Sequence, residues 1–207
     1  MKKVTIGVLG FLILFVAIPL LIAVGTYNSL VNRQQTVDSA WAQVQNVYQR
    51  RADRIPNLVQ TVQGAASFEK STLEAVTNAR ASVGKVTIDV NSAPADAAKL
   101  EAFQKAQGQL TSALSRLLVV SEQYPELKAN NNFLTLQAQL EGSENRIAVE
   151  RGRFNDAVQD YDASIKRFPG VVLAGIFGFT SKPFFAATPE AQGVPTVNFN
   201  FNATTNP

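Results

Sequence analysis

Apolar residues follow two regimes along this chain. From Val4 to Val24 they run on without a charge, rich in Leu, Ile, Val and Phe, and a run of about 20 such residues matches the thickness of a bilayer. Beyond Gly25 they recur at alternating steps of three and four. Leu30, Val37, Trp41, Val44, Tyr48, Ile55, Leu58 and Val62 form one such stripe, with Gln34 and Arg51 as polar interruptions. Leu100, Phe103, Leu110, Leu114, Leu117 and Tyr124 form a second. Phe133, Leu140, Ile147, Phe154, Tyr161 and Phe168 form a third, with Leu136, Ala157, Val158 and Ile165 between them. A stripe at this spacing occupies one face of a helix and needs a partner to cover it. The third helix, from Phe133 to Phe168, is about 54 Å long at ~1.5 Å per residue, so only elements of similar length can cover it.

The punctuation between stripes sets the topology. Pro56 forfeits the bond to the carbonyl of Ala52 and should bend the first helix. Gly64 weakens it, and Ser71 with Glu74 reads as a capping box ahead of Leu73, Val76 and Ala79. A shorter helix over about 67–83 follows, either separate or continuous with the first. Length argues for a break, since an unbroken rod from Leu30 to Val83 would reach roughly 80 Å. Gly84 to Pro94 is the main loop, although Val86, Ile88 and Val90 alternate with polar residues, and Pro94 behind Ser92 suits a helix start. Pro125 ends the second stripe, a turn runs through Glu126 to Asn130, and Pro169 with Gly170 closes the third. Connections this short predict an all-α fold: an N-terminal transmembrane helix followed by an antiparallel up-and-down bundle of three long helices plus one shorter helical segment. The expected divisions are an anchor over 1–26, a bundle over 27–170, an apolar cap or association segment over 171–187 and a flexible tail over 188–207.

The anchor rests on Val4, Leu9, Phe11, Leu14, Phe15, Pro19, Leu21 and Val24. A cleaved signal peptide competes, because Ala23, Val24 and Gly25 resemble a cleavage site, but the run exceeds the usual h-region and favours a retained span. Lys2 and Lys3 flank one end, while Arg33 and Asp38 are the nearest charges at the other. The positive-inside rule then puts the N-terminus in the cytoplasm and the bundle outside it.

Past Phe168 the character changes. Val171, Leu173, Ile176, Phe177, Phe179, Phe184 and Phe185 are interrupted by Gly175, Gly178 and Pro183, with Lys182 the only charge. The segment is too short and too glycine-rich for a second span. It reads as a cap over the bundle end, a self-association patch or a membrane-surface patch. In the polar tail, Val197, Phe199 and Phe201 alternate with asparagines, which fits addition to a sheet edge or plain disorder.

Composition then removes whole classes of chemistry. The 207 residues contain no Cys and no His, which excludes thiol nucleophiles, disulfides, the usual zinc sites and the commonest general base. The net charge is +3 with basic residues scattered, so no nucleic acid is expected as a partner, and no cofactor is expected. Asp53 and Arg54, beside Pro56, are expected to meet Arg146 or Glu150 across the bundle as an ion pair that sets register. Asp156, Asp160 and Asp162 point in different directions on a helix and read as a solvated face.

Several stretches resemble the LemA proteins of bacteria: Tyr27-Asn28-Ser29-Leu30, Ala52-Asp53-Arg54-Ile55-Pro56-Asn57-Leu58-Val59, Tyr124-Pro125-Glu126-Leu127-Lys128-Ala129-Asn130, Glu144-Asn145-Arg146-Ile147-Ala148, and Phe154-Asn155-Asp156-Ala157-Val158 through Phe168-Pro169. The resemblance spans Tyr27 to about Phe185. It implies a single-pass anchor in the bacterial cell membrane and long antiparallel helices, and it implies no reaction. The expected function is non-catalytic: protein–protein interaction at the membrane, first as a homo-oligomer or scaffold. A sensor or adaptor that regulates another membrane protein is the competing expectation.

Overall fold

Helix α1 runs without interruption over Lys2–Gln63, 62 residues, or about 93 Å at ~1.5 Å per residue. It joins the apolar run and the first stripe into one rod, with Pro19 and Pro56 both inside it. The computed structural model describes residues 2–64, 69–86 and 93–186, with side chains from Leu14 onward. In chain order there follow α2 (Lys70–Lys85), α3 (Ala97–Ser121), α4 (Pro125–Lys128), α5 (Asn131–Lys166) and α6 (Gly170–Phe177). All are helical, and no strand occurs among the described residues. The short helix is thus separate from the first, and the sequence 65–68 between them lies outside the described residues.

Cross-helix contacts fix the directions. Arg33 meets Asp160, Arg51 meets Glu144 and Arg54 meets Ser143, so α5 runs antiparallel to α1. Trp41 meets Phe103, and Arg51 meets Gln107 and Thr111, so α3 runs parallel to α1. Between them α2 runs the other way, with Glu69 facing Arg116 and Arg80 facing Ala52. This is an up-and-down bundle of three long helices and one short one, as the stripes require. Every apolar member of the first stripe from Leu30 to Val62 is buried, as are Leu100, Phe103, Leu110, Leu114 and Leu117 on α3. On α5, Phe133, Leu140, Ile147, Phe154, Val158, Tyr161 and Ile165 are buried.

Three local expectations are corrected. Ser71 and Glu74 form no capping box: the cap position of α2 falls two residues earlier, at Glu69, and Ser71 and Thr72 donate their hydroxyls to its carboxylate. Those hydroxyls hold the Glu69 carboxyl below the usual range. Pro94 does not start α3. Asp96 does, its Oδ1 accepting from Ala98 N at 2.9 Å, because a carboxylate satisfies an orphan amide that proline cannot. The third stripe stops a turn early, since α5 ends at Lys166 and Phe168 is 84% exposed. Asn130 caps its start, Oδ1 accepting from Asn132 N and Phe133 N at 2.9 and 3.2 Å.

The chain then folds back. Gly170 opens α6 against the end of α5 so closely that a Cβ there would sit 2.2 Å from the Ser164 carbonyl oxygen, a separation no side chain permits. Gly178, at φ 74°, closes α6 in the left-handed conformation while Phe179 N donates to Ala174 O at 3.0 Å. The segment 179–186 returns along α5, and Phe185 enters the core between Trp41 and Phe154. Within 171–187, Leu173, Ala174 and Phe185 therefore belong to the same core as the bundle. The remainder of the tail, 187–207 with its Val197, Phe199 and Phe201 alternation, lies outside the described residues, as does 87–92 in the main loop.

Candidate functional site

Charge buried inside an apolar bundle is costly unless it is paired and hydrogen-bonded. One such group lies at the waist of this one. Arg51 occupies a core position of the first stripe and is 1% exposed. Its Nη1 donates to Glu144 on α5 and, at 2.8 Å, to Thr111 Oγ1 on α3; its Nη2 donates to Gln107, which is itself buried. Nε finds no acceptor among the described residues. The guanidinium carbon also lies 5.3 Å from the centroid of the Tyr48 ring, within cation–π range. Arg51 divides the core in two. On one side lies the cluster of Trp41, Phe103, Phe154 and Tyr161; on the other, that of Ile55, Leu58, Leu114 and Phe133.

The ion pair expected from sequence falls on other residues. Arg54 donates to Ser143 Oγ at 2.6 Å and towards the Gln139 carbonyl, Asp53 accepts from Gln49 on its own helix, and Glu150 pairs with Arg153. Arg146 is exposed. None of the four meets another of the set across the bundle. The pair that does cross is Arg51 with Glu144, because Arg51 stands on the stripe while Asp53 and Arg146 stand off it. A charge at an inward heptad position was the signal, and Arg51 carried it. Glu144 keeps 39% of its side chain exposed, opening on a cleft of about 250 Å³ lined by Leu114, Leu118, Leu140 and Asn145.

Asp162 is also misread as solvated. It is buried, accepts from Lys182 N at 3.1 Å and pairs with Lys166 Nζ at 3.0 Å, so it secures the returning segment. Asn155 secures it further along, with Oδ1 accepting from Phe185 N at 2.9 Å and Nδ2 donating to Phe185 O at 3.0 Å. Tyr48, beside Arg51, is pushed above the ordinary tyrosine range by burial, opposed by the nearby Arg151 and Arg51. Burial, reinforced by Asp162 and Asp38, does the same to Tyr161. Asp156 and Asp160 are exposed, and no group of three acidic side chains suited to a metal ion occurs among the described residues.

Of the anchor residues, Val4, Leu9 and Phe11 lie within α1, and Leu14, Phe15, Pro19, Leu21 and Val24 are exposed along it. α1 is long and apolar enough to cross a membrane. Of the residues expected to associate, Leu173 and Phe185 are taken into the chain's own core, Phe179 is half-buried, and Val171, Ile176, Phe177 and Phe184 stay exposed.

A sequence profile described as the LemA family matches residues 40–199, most of the chain. The chain belongs to the LemA family. Within that match lie α2 to α6 and the distal two-fifths of α1, and therefore the whole Arg51 cluster. This LemA protein is 25% identical over 188 residues to "Magnetosome protein MamQ 2" of Paramagnetospirillum magneticum, the alignment covering 80% of this chain. It is 24% identical over 185 residues to "Magnetosome protein MamQ" of Magnetospirillum gryphiswaldense. The chain spans 66% of the length of both relatives. It is 25% identical over 158 residues to "Protein LemA" of Metamycoplasma hominis, covering 76% of this chain and 68% of that one. None of these names states a reaction.

Proposed function

We propose that this LemA protein is a non-catalytic, membrane-anchored helical rod that works through protein–protein contact, with further copies of itself as first partner. The observation that carries the reading is the continuity of α1 from the apolar run into the bundle core. A single helix couples anchor and bundle without a hinge loop, so every copy in one membrane presents the same side at the same height. Confinement to a plane then raises the effective concentration of those sides for one another. The contact side we assign is the face of α1 and α5 where Gln35, Ser39, Gln43, Glu150 and Arg153 border a shallow cleft of about 470 Å³. It is rich in amide and hydroxyl groups and carries both signs of charge, as a self-complementary polar contact requires. The charges of Lys2 and Lys3 favour a cytoplasmic N-terminus and an extracytoplasmic bundle in the cell membrane.

Because the chain has no cysteine, the variant Ser39→Cys provides a single reporter on that face. Oxidation in intact membranes is expected to yield a homodimer as the main adduct. A dominant adduct with a different membrane protein would transfer the reading to the sensor or adaptor alternative, and no adduct at all would remove contact through this face.

A further inference from the structure

Outside the apolar run of α1, most of the exposed large apolar side chains among the described residues lie near α6. Phe168 is 84% exposed, Ile176 68% and Phe177 58%, and Val171 and Val172 on α6 are exposed as well. Left in water, a cluster of this kind calls for an occupant.

Its place along α1 names the occupant. The Tyr27 ring packs at a tilt on Phe177, with centroids 4.8 Å apart, and edge-to-face on Phe179 at 5.9 Å. Gly170, at the other end of α6, approaches Leu30. Tyr27 lies only three residues beyond Val24, about 4.5 Å up the helix axis from the end of the uncharged run. The two ends of α6 are about 10 Å apart, yet they meet α1 only about 4.5 Å apart along its axis, so α6 lies more across the rod than along it. A short apolar helix held transversely where a span emerges sits at the depth of the lipid headgroups. Tyrosine is the residue type enriched at that depth. Lys166 and Arg167, next to Phe168 at the end of α5, are exposed, and cations at such a depth face anionic headgroups. Asp162 is buried and engaged by Lys166 and by the Lys182 amide, which leaves the exposed Arg167 as the charge beside Phe168.

We infer that α6 and the Phe168 corner are a second membrane contact, seated in the headgroup and upper acyl region of the same bilayer that α1 crosses. The inference rests on α1 being a span. Two points of contact, unlike one, fix the tilt of the rod and the side on which it meets the membrane, so every copy holds its bundle at the same height and angle.

The test uses the full chain in vesicles of phosphatidylcholine and phosphatidylglycerol, with a fluorophore on one introduced cysteine at a time: Ile176→Cys, Phe168→Cys, Leu14→Cys in the span and Ala138→Cys at the far end of the bundle. The probe is lipid brominated near the carbonyl end of its acyl chains. Emission from positions 168 and 176 is expected to fall by most of its value, as at 14 or more strongly, while position 138 keeps its emission. Quenching at 14 without quenching at 168 and 176 overturns the inference and leaves the span standing. Loss of quenching at 14 as well removes the span reading with it. If 176 is unquenched by bromolipid but self-quenches as protein density rises, a second copy covers the corner and the inference falls.

Discussion

Arg80 Nε on α2 lies 3.2 Å from the carbonyl oxygen of Ala52 on α1, the carbonyl that Pro56 deprives of its helical donor. Proline removes one backbone N–H and leaves the acceptor four residues earlier unpaired. A side chain from the adjacent helix supplies the missing hydrogen, so a break in one element becomes a tie to another. The bond predicts a coupled pair. Arg80→Ala should cost about 0.5–1.5 kcal/mol, the usual net worth of one hydrogen bond. In a Pro56→Ala background, where the amide of residue 56 regains the Ala52 carbonyl, the same change should cost measurably less. Additive costs in a double-mutant cycle, read from urea unfolding by helical dichroism, would show that the two residues are independent.

The waist cluster predicts an order of severity. Arg51→Ala opens a cavity and leaves the buried Gln107 amide oxygen without a donor, at a cost of about 2–4 kcal/mol. Glu144→Gln should cost less, because Glu144 is partly solvated and a neutral amide oxygen still accepts from Arg51. Arg51→Met combined with Gln107→Leu should recover most of the loss, since apolar replacement of a buried polar set is often neutral. Unfolding midpoints of the variants decide it. A double variant no better than Arg51→Ala would mean that the cluster contributes more than desolvation cancels.

Asn155 and Phe185 exchange two hydrogen bonds, and the Phe185 ring stacks on Trp41 at 6.0 Å between centroids. Asn155→Ala should release the returning segment and let water reach the indole. Trp41 is the chain's one tryptophan and is fully buried, so its emission should move to longer wavelength with little loss of helical dichroism. Unchanged emission would mean that Phe185 is held by packing alone.

Alkaline pH tests the second buried ring. Burial raises the Tyr48 pKa above the ordinary 10.0, so the folded state holds its phenolic proton more tightly than the unfolded chain does. That stability is fully present below pH 10.0 and is lost as pH rises through the folded value. Tyr48→Phe should flatten the decline above pH 10 relative to the parent chain. An equal slope in both would place the alkaline sensitivity elsewhere, for instance at Tyr161.

The order of the long helices, the inward stripes and the uncharged run are legible in the chain itself because each depends on residues close together in sequence, whereas the short helices α4 and α6 are not. A three-and-four spacing forces one face of a helix to be apolar, and short connections between such helices leave an up-and-down path as the economical one. Caps were less legible. Asp96 caps α3 in place of Pro94, and Glu69 takes the cap position of α2 in place of Ser71, since each end is set by the local backbone and its hydrogen bonds and not by residue type alone.

Only the folded chain decided which charges meet. Asp53, Arg54, Arg146 and Glu150 lie close to the stripes, yet the inward position of Arg51, which the heptad spacing shows, and the axial offset of α1 against α5, which it does not, together bring Arg51 to Glu144 instead. That offset is a sum over the whole packed length and appears in no local pattern. The same holds for the apolar segment after Phe168: its composition is plain in sequence, but the division between Leu173 and Phe185, turned inward, and Ile176 and Phe177, left outside, follows from the two turns at Gly170 and Gly178. Periodicity is a property of neighbours along the chain, whereas register and exposure belong to helices pressed together at a distance in sequence, and this protein divides along that line.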